Sequence, residues 1–354
     1  MKILQLITSL RTGGAEKLIT DMAPRLRALG HEVDVAVFDG VDTPFKRQLE
    51  TEGIPVVSLG RWVYSPLHIA RLVRLMRRYD LVHTHNTSPQ LYAALANVFV
   101  GTRLVTTEHN TNNRRRGIPL LYGMDRWMYG RYSRIVCISD RARECLCDYM
   151  PSCRPRVTTI YNGVDVNAFR HAQPLEGLPY GGRKVAVMVA GFRPQKDQDT
   201  LIRALSHMDD ESWEVWLVGD GERRAALGQL ASDLKLDRRV RFMGVRTDIP
   251  QLLHLATVVV MSSHYEGLSL SSIEGMSVGL PFVASDVDGL HEMVAGAGIL
   301  FPEGDDRALA RILTELGSDA VKRQAVADAC WQKARQFDIT ETVSKYNNLY
   351  QEIL

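Results

Sequence analysis

Short apolar segments alternate with amphipathic segments of helical periodicity along nearly the whole chain. Two neighbouring parallel strands need a long connection, and a helix of ~10–15 residues supplies it. The alternation therefore predicts parallel sheets joined by right-handed helical crossovers. The predicted strands are Ile3–Thr8, Val33–Phe38, Leu81–His85, Arg103–Thr107, Ser133–Ile138, Val157–Tyr161, Val185–Ala190, Trp213–Val218, Val240–Phe242, Val258–Met261 and Pro281–Ala284.

The alternation is interrupted once, by the proline- and glycine-rich segment His171–Gly182. This interruption predicts an N-terminal domain of residues 1–170 and a C-terminal domain of residues 171–338. A last amphipathic helix, residues 339–354, is expected to pack back on the N-terminal domain. We therefore expect an α/β chain of two tandem, doubly wound, Rossmann-like domains that face each other across a cleft, with ligands beyond the carboxyl ends of the strands.

Composition and charge narrow the class of protein. Of the 354 residues, 45% are hydrophobic and 24% are charged, which is typical of a folded globular protein. Residues 1–165 carry 23 Lys and Arg against 15 Asp and Glu, whereas the remainder carries 20 against 26, so two domains with different partners are expected. The five cysteines show no metal-ligand spacing, and no segment resembles a nucleic-acid-binding module.

The opening MKILQLITSL is too short an apolar run for a signal peptide. No window offers the ~20 apolar residues of a membrane-spanning helix. A cytoplasmic protein is expected.

The segment SHYEGLSLSSIEGMS, residues 263–277, places two glutamates around the predicted start of a helix. Gly267 permits close backbone approach to a ligand, and Leu268, Ser269 and Leu270 offer N–H groups to an anion. With Glu266 and Glu274 on either side, the segment suits a ligand with phosphate in its middle and hydroxyls at both ends. The alternative is a capping box, in which Glu274 satisfies a backbone N–H near Ser271 and Glu266 is a solvated loop residue.

The segment EGLSLSSIEGMSVGLPFVASDVDGLHEMV closely resembles the glutamate–seven–glutamate motif of the retaining GT-B glycosyltransferases of family four. GGAEKLITDMAPRLRALGHEVDV resembles the first loop and helix of that family, YDLVHTHN its next strand end, and IYNGVDVNAF its interdomain strand and turn. The resemblance implies transfer of a sugar from a UDP- or GDP-sugar to a glycan or lipid-linked acceptor. It further implies an α-glycosidic product, in cell-surface polysaccharide or glycolipid synthesis.

The same resemblance assigns roles to residues of the C-terminal domain. It implies that Glu266 contacts hydroxyls of the transferred sugar and that Glu274 contacts the ribose. The backbone of Gly267, Leu268 and Ser269 would hold the diphosphate. The turn at Gly244 and Val245 would contact the nucleotide base.

Two cations are predicted in the loop GFRPQKD, which follows the strand Val185–Ala190. Arg193 and Lys196 could neutralise a diphosphate there, although a solvated loop is the alternative. Members of the family commonly carry an arginine five residues before the lysine. Gly191 occupies that position here, so Arg193 is expected to act from a shifted position.

In the N-terminal domain, Gly13 and Gly14 would let the backbone approach phosphate or acceptor closely. The G-x-G-x-x-G fingerprint of dinucleotide binding is absent from this loop. His109 matches the family histidine that meets the donor sugar, with a surface histidine as the alternative. His83 and His85 alternate on a strand, but no third ligand follows, and a metal site is rejected.

We assign no paired-aspartate metal site to any strand end. We therefore expect no cofactor and no divalent metal, and Lys196, Arg193 and helix amides would stabilise the leaving diphosphate. A front-face reaction needs no protein nucleophile, whereas double displacement would need two carboxylates ~5 Å apart.

A basic surface is predicted on the N-terminal domain. Arg71, Arg74, Arg77 and Arg78 share one helix, and the run 114–116 lies near Trp127 and Tyr129. This combination suits the inner face of an anionic plasma membrane, with a solvated basic face as the alternative. Two other functions stay open: a nucleotide-sugar epimerase of GT-B architecture and a non-catalytic nucleotide-sugar-binding protein. A dehydrogenase ranks below both because the glycine fingerprint is missing.

Overall fold

The computed structural model describes residues 1–11, 13–109, 117–178, 181–267 and 269–354, and these residues divide into two compact α/β units. The first unit contains Met1–Gly163 and Ile339–Leu354, and the second contains Val164–Asp338. Residues 164–170, which the sequence analysis assigned to the first domain, belong to the second unit. Val164, Val166 and Phe169 explain this difference because they are buried in its core.

Each unit is built on one parallel sheet. Within the described residues, the first sheet has the order β3-β2-β1-β4-β5-β6-β7 and the second the order β10-β9-β8-β11-β12-β13. The strands are β1 (Lys2–Ile7), β2 (Glu32–Val37), β3 (Val56–Ser58), β4 (Leu81–His85), β5 (Arg103–Glu108), β6 (Arg134–Cys137), β7 (Val157–Thr159), β8 (Lys184–Val189), β9 (Trp213–Val218), β10 (Val240–Gly244), β11 (Val258–Met261), β12 (Phe282–Ser285) and β13 (Ile299–Phe301).

Helices connect successive strands in both units. They are α1 (Gly14–Ala28), α2 (Pro44–Thr51), α3 (Leu67–Met76), α4 (Thr87–Asn97), α5 (Tyr122–Tyr129), α6 (Asp140–Tyr149), α7 (Val166–Arg170), α8 (Gln198–Ser206), α9 (Arg224–Asp233), α10 (Ile249–Leu253), α11 (Leu270–Ser277), α12 (Leu290–Val294), α13 (Asp306–Ser318), α14 (Ala320–Ala334) and α15 (Ile339–Ile353).

The central strands are largely buried on both faces because helices cover both sides of a parallel sheet. All six residues of β9 are buried, and so are five of the six residues of β1. The edge strands β3 and β13 were not predicted from the sequence because each has only three residues and is partly exposed.

The last helix packs within the first unit. In α15, Ile339, Val343 and Tyr346 are buried in the same apolar cluster as Ile3 and Leu18. This face of the sheet is therefore covered partly by residues from the far end of the chain.

Candidate functional site

The strand order of the second sheet reverses between β8 and β11, which pair directly although β9 and β10 separate them in the chain. In a doubly wound sheet this reversal opens a crevice beyond the carboxyl ends of the two strands, where ligands bind. Arg193 and Lys196 follow β8, and Glu266 follows β11. The topology thus brings two separately predicted segments to one place.

Lys196 and Glu266 contact each other directly at this place. Nζ of Lys196 lies 2.5 Å from Oε1 of Glu266, and the Ser263 hydroxyl donates to the same oxygen at 2.6 Å. Only 7% of the Glu266 side chain and 20% of the Lys196 side chain are exposed. A charge-assisted pair with this little exposure holds both groups in defined positions.

The backbone next to Lys196 is held in an uncommon conformation. Asp197 is buried and left-handed, with φ 45° and ψ 54°, and its carboxylate accepts hydrogen bonds from the backbone and hydroxyl of Thr200 at the start of α8. Ser262 donates to the Asp197 carbonyl at 2.6 Å. Burial raises the pKa of Asp197, while the bonds from Thr200 act in the opposite direction. This over-determined turn fixes where Lys196 leaves the main chain.

The two loops are also joined by their backbones. His264 N donates to the carbonyl of Gln195 at 2.9 Å, and the Gln195 amide donates to the carbonyl of Tyr265 at 2.8 Å. The position of Lys196 relative to Glu266 is therefore set by the main chain as well as by the ion pair.

A third loop, after β12, supports the Glu266 backbone. Glu266 N donates to the Asp288 carbonyl at 3.3 Å. Gly289 has φ +82°, and a Cβ there would lie 2.4 Å from the Glu266 carbonyl oxygen and 2.5 Å from that of Gly267. Only glycine fits this close approach. Gly289 was not predicted, although an Asp-Gly pair after a strand is a signal for such a turn.

The start of α11 differs from the capping-box alternative. The helix begins at Leu270 with Ser269 as its N-cap, so Ser271 lies inside the first turn rather than at the cap. Glu274 is half-buried in the second turn. Ser269 is buried and Gly267 half-buried before the helix, whereas Leu268 lies outside the described residues.

The other residues predicted in this unit lie on neighbouring loops. Arg193 is exposed just before the turn that carries Lys196. Gly244 ends β10 with φ +67°, and the side chain of Val245 is 64% exposed. The contacts of Gly244 and Val245 do not decide the role of either residue.

Two glycines after β9 pack against the loop that carries Arg193. A Cβ at Gly219 would lie 2.1 Å from the Ala190 carbonyl oxygen, and one at Gly221 would lie 2.5 Å from that of Phe192. The close approach gives both glycines a specific structural role beside the site.

In the first unit, the predicted Gly13 and Gly14 lie at the start of α1, after the loop that follows β1. Gly13 is the N-cap, and a Cβ there would lie 2.3 Å from a carboxylate oxygen of Glu16. Burial raises the pKa of Glu16, although a backbone hydrogen bond and one from Asn86 lower it. Asn86 follows β4 with φ +71°. Glu16 and Asn86 were not predicted, although both lie within the quoted segments GGAEK and VHTHN.

His109 lies at the carboxyl end of β5 and is half-buried. Its Nε2 lies 2.9 Å from Nδ1 of His85, and its Nδ1 is a buried atom without a hydrogen-bond partner among the described residues. Burial lowers the pKa of His109 to about 4. Within the described part of the chain, no three or more His, Cys, Asp or Glu side chains form a group that could hold a metal ion.

The basic surface of the first unit is only partly as predicted. Arg71, Arg74 and Arg78 line a cavity of about 510 Å³ beside α3 and β3. Tyr129, expected as a surface aromatic, is buried, and its hydroxyl donates to Glu108 at 2.7 Å. The run 114–116 lies outside the described residues. None of the described helices is long and apolar enough to cross a bilayer.

Comparisons with known proteins agree with this architecture. The sequence model of Glycosyltransferase Family 4 matches residues 12–168, and that of Glycosyl transferases group 1 matches residues 183–319. Phosphatidyl-myo-inositol mannosyltransferase of Mycobacterium leprae is 25% identical over 96% of this chain and 93% of its own. UDP-Gal:alpha-D-GlcNAc-diphosphoundecaprenol alpha-1,3-galactosyltransferase of Escherichia coli is 26% identical over 83% of this chain and 80% of its own.

A solved structure is similar along the whole chain. Anabaena Alr3699/HepE in complex with UDP-glucose superposes with a TM-score of 0.87 and 26% identity, covering 99% of this chain and 100% of that one. Two parallel Rossmann-like sheets, matches to both family sequence models and this similarity lead to one assignment. The chain belongs to glycosyltransferase family 4 and has the GT-B fold.

Proposed function

We propose that the protein transfers a sugar from a UDP- or GDP-sugar to a glycan or lipid-linked acceptor and retains the anomeric configuration. The α-linked product would enter a cell-surface polysaccharide or glycolipid. The observation that carries this proposal is the contact between Lys196 and Glu266 at the strand-order reversal of the second sheet. A cation for a diphosphate and a carboxylate for sugar hydroxyls stand side by side there.

Two similar proteins support the substrate class. The name of the Escherichia coli relative gives UDP-Gal as donor and a diphosphoundecaprenol-linked sugar as acceptor. HepE was crystallised with UDP-glucose. These names favour a nucleotide-sugar donor and a lipid-linked acceptor for this chain as well.

Stabilisation of the leaving group is the main chemical task. When the sugar–phosphate bond breaks, its electrons pass to the diphosphate, where negative charge develops. Lys196, Arg193 and the backbone N–H groups of Gly267, Leu268 and Ser269 would face that charge, and preorganised donors are most effective where charge develops. Glu266 would accept hydrogen bonds from the sugar hydroxyls and orient the ring.

We favour a front-face reaction for this site. The acceptor oxygen forms its bond to the anomeric carbon on the face that the diphosphate leaves, and the departing phosphate oxygen takes the acceptor proton. No protein nucleophile is needed. A glycosyl group trapped covalently on a side chain would contradict this route.

The remaining predicted residues take roles in binding. Glu274 would contact the ribose, a role favoured by the start of α11, where Ser269 rather than Ser271 is the N-cap. Gly244 and Val245 would contact the base through their backbone. Gly13 and Gly14 would allow close approach of substrate in the first unit, and His109 would meet a sugar hydroxyl.

A panel of UDP-, GDP- and ADP-sugars tests the proposal, with release of nucleoside diphosphate as the readout and EDTA present throughout. We expect release from one donor at a rate that EDTA does not change, because protein cations and amides serve the diphosphate. An epimerase would convert the sugar without releasing the nucleotide, and a silent binding protein would do neither. Activity that is lost in EDTA and restored by Mn²⁺ would contradict the proposal that transfer needs no divalent metal.

Peripheral contact with an anionic membrane is proposed for the surface around α3. Exposed aromatic side chains, Trp62 (79% exposed) and Tyr64 (80%), lie in the segment before this helix, whose outer face carries Arg71 and Arg74. Basic groups beside exposed aromatics suit a lipid surface. Binding to vesicles should require anionic lipid and weaken in salt, and co-sedimentation indifferent to both would contradict this contact.

A further inference from the structure

A continuous series of hydrogen-bonded side chains connects α15 to His109 within the first unit. The Tyr350 hydroxyl lies 2.6 Å from His83 Nδ1, and the amide nitrogen of Gln5 lies 3.3 Å from the same hydroxyl. His85 Nε2 lies 2.9 Å from the amide oxygen of Gln5, and His85 Nδ1 lies 2.9 Å from His109 Nε2. We call Tyr350, Gln5, His85 and His109 the relay. Its first three members are fully buried.

A side branch completes the network. His83 Nε2 lies 2.8 Å from the Thr107 hydroxyl, which lies 3.0 Å from the hydroxyl of Tyr346. The hydroxyls of this branch can donate or accept, so they do not set a direction by themselves.

The histidine rings of this network are neutral. Burial lowers the pKa of His83 and His85 well below the ordinary value and that of His109 to about 4. A neutral imidazole carries one N–H and one lone pair. Each ring therefore donates on one side and accepts on the other, and the direction of one hydrogen bond determines the next.

Gln5 fixes that direction because its amide nitrogen can only donate and its oxygen can only accept. The oxygen faces His85, so His85 Nε2 carries the proton and donates. His85 Nδ1 must then accept the proton of His109 Nε2. His109 Nδ1 is left with a lone pair, and this buried atom has no partner among the described residues. If the Gln5 amide were rotated by 180°, each hydrogen bond from Gln5 to His109 would reverse its direction, and His109 Nδ1 would carry the proton instead.

We propose that Tyr350 and Gln5 are positioning residues that fix the tautomer of His109, so that its Nδ1 accepts a hydrogen bond from a substrate hydroxyl. The identity of that hydroxyl as part of a sugar rests on the proposed function. Tyr350 takes part because its hydroxyl oxygen accepts the Gln5 N–H, a bond that holds the amide in place beside His85. The C-terminal helix thereby sets the chemistry of a residue at the carboxyl end of β5.

The tautomer can be read directly by long-range ¹H–¹⁵N correlation spectra of protein labelled with ¹⁵N-histidine at pH 7. The chain has 10 histidines, and the His109 signals are assigned by their loss in His109→Asn. We expect a protonated Nε2 and an unprotonated Nδ1 for His109. In Tyr350→Phe and in Gln5→Leu, these signals should move toward a mixture of tautomers. A protonated Nδ1 in the wild type, or unchanged signals in both variants, would overturn the proposal.

Asn347→Ala is the matched control because Asn347 also ties α15 to the first unit, through Oδ1 at 2.7 Å from His31 Nε2, without touching the relay. It should leave the His109 signals unchanged. If it alters them as Tyr350→Phe does, the effect belongs to the seating of the helix, and the positioning role is wrong.

Kinetics separates this inference from the proposed function. Tyr350→Phe should lower kcat/KM for sugar transfer about fivefold, the equivalent of one net hydrogen bond. Its Kd for the nucleoside diphosphate, measured by calorimetry, should equal that of the wild type and of Asn347→Ala. A changed tautomer with unchanged kcat/KM would refute the catalytic consequence and leave glycosyl transfer standing. A wild type that transfers no sugar would refute the proposed function, while the spectra would still decide the relay.

Discussion

At the scale of single residues, the contact between Lys196 and Glu266 carries the proposed function, because it places a cation next to a carboxylate. Both residues were predicted from separate segments, but their contact was not, because it depends on β8 and β11 being neighbours in the sheet. Ser263, which donates to the same carboxylate oxygen, was not predicted either. A serine before a glutamate carries no signal of its own when the fold of the loop is unknown.

Replacing Glu266 should impair transfer more than nucleotide binding. Glu266→Gln removes the charged acceptor for sugar hydroxyls, and hydrogen bonds to charged groups contribute about 1.5–3 kcal/mol. We therefore expect kcat/KM to fall roughly 10- to 100-fold, with the Kd for the nucleoside diphosphate changed far less.

The control is Glu303→Gln, which neutralises an exposed glutamate after β13 whose carboxylate lies 2.7 Å from His264, a residue of the Glu266 loop. It should leave kcat/KM unchanged. An equal loss in both variants would mean that the loop, rather than the Glu266 carboxylate, is responsible.

At the scale of secondary-structure elements, tight turns place the site residues. The left-handed turn at Asp197 precedes α8, and Gly289 lies against the backbone of Glu266 and Gly267. The sequence predicted the strands and helices because their periodicity is local. It could not predict the contacts of these turns with Ser262 and with Glu266, since each contact joins segments that are distant in the chain.

Asp197→Ala should weaken both stability and activity. It removes the cap of α8, which costs about 1–2 kcal/mol, and it places alanine in a left-handed conformation, which costs about 1 kcal/mol more. Lys196 should then be misplaced and kcat/KM should fall. Asp197→Asn keeps an acceptor oxygen and tolerates the left-handed backbone, so we expect it to retain most of both properties.

The control for Asp197→Ala is an aspartate that caps another helix of the second unit, distant in the chain. Asp305 caps α13 by accepting from Ala308 N at 2.8 Å. Asp305→Ala should lower the free energy of unfolding by about 1 kcal/mol without lowering kcat/KM. If it reduces activity as much as Asp197→Ala does, general destabilisation explains both results.

At the scale of the whole molecule, the alternation of strands and helices was sufficient to predict two parallel sheets. The domain boundary was placed too late because the proline- and glycine-rich segment was more conspicuous than the buried side chains of Val166 and Phe169. The network that joins α15 to Gln5 and His83 could not be predicted, since α15 and β1 lie at opposite ends of the sequence.

The buried histidines predict a pH dependence of stability for the first unit. The pKa of His83, His85 and His109 is lower in the folded state than the ordinary value near 6.5. Below pH ~6.5 the unfolded chain therefore binds more protons than the folded chain. The free energy of unfolding consequently decreases as the pH is lowered. Each histidine contributes at most about 1.4 kcal/mol per pH unit.

Urea unfolding at pH 7 and pH 5.5 measures this effect. We expect a lower midpoint at pH 5.5, and a smaller difference between the two pH values in His109→Asn than in the wild type. His291→Gln, which changes an exposed histidine of the second unit, should keep the wild-type difference. A midpoint that does not change between the two pH values would show that the buried rings are not neutral.

The central claim is that Lys196 at the strand-order reversal of the second sheet binds the diphosphate of a nucleotide-sugar. Calorimetric titration of UDP and GDP into Lys196→Met and Lys184→Met tests it most directly. Lys184 begins the same strand, β8, and pairs with Asp210 at 2.9 Å, so its replacement removes an equal charge from the opposite end. We expect Lys196→Met to weaken nucleotide binding at least tenfold and Lys184→Met to leave it unchanged. Equal affinities in the two variants would contradict the account.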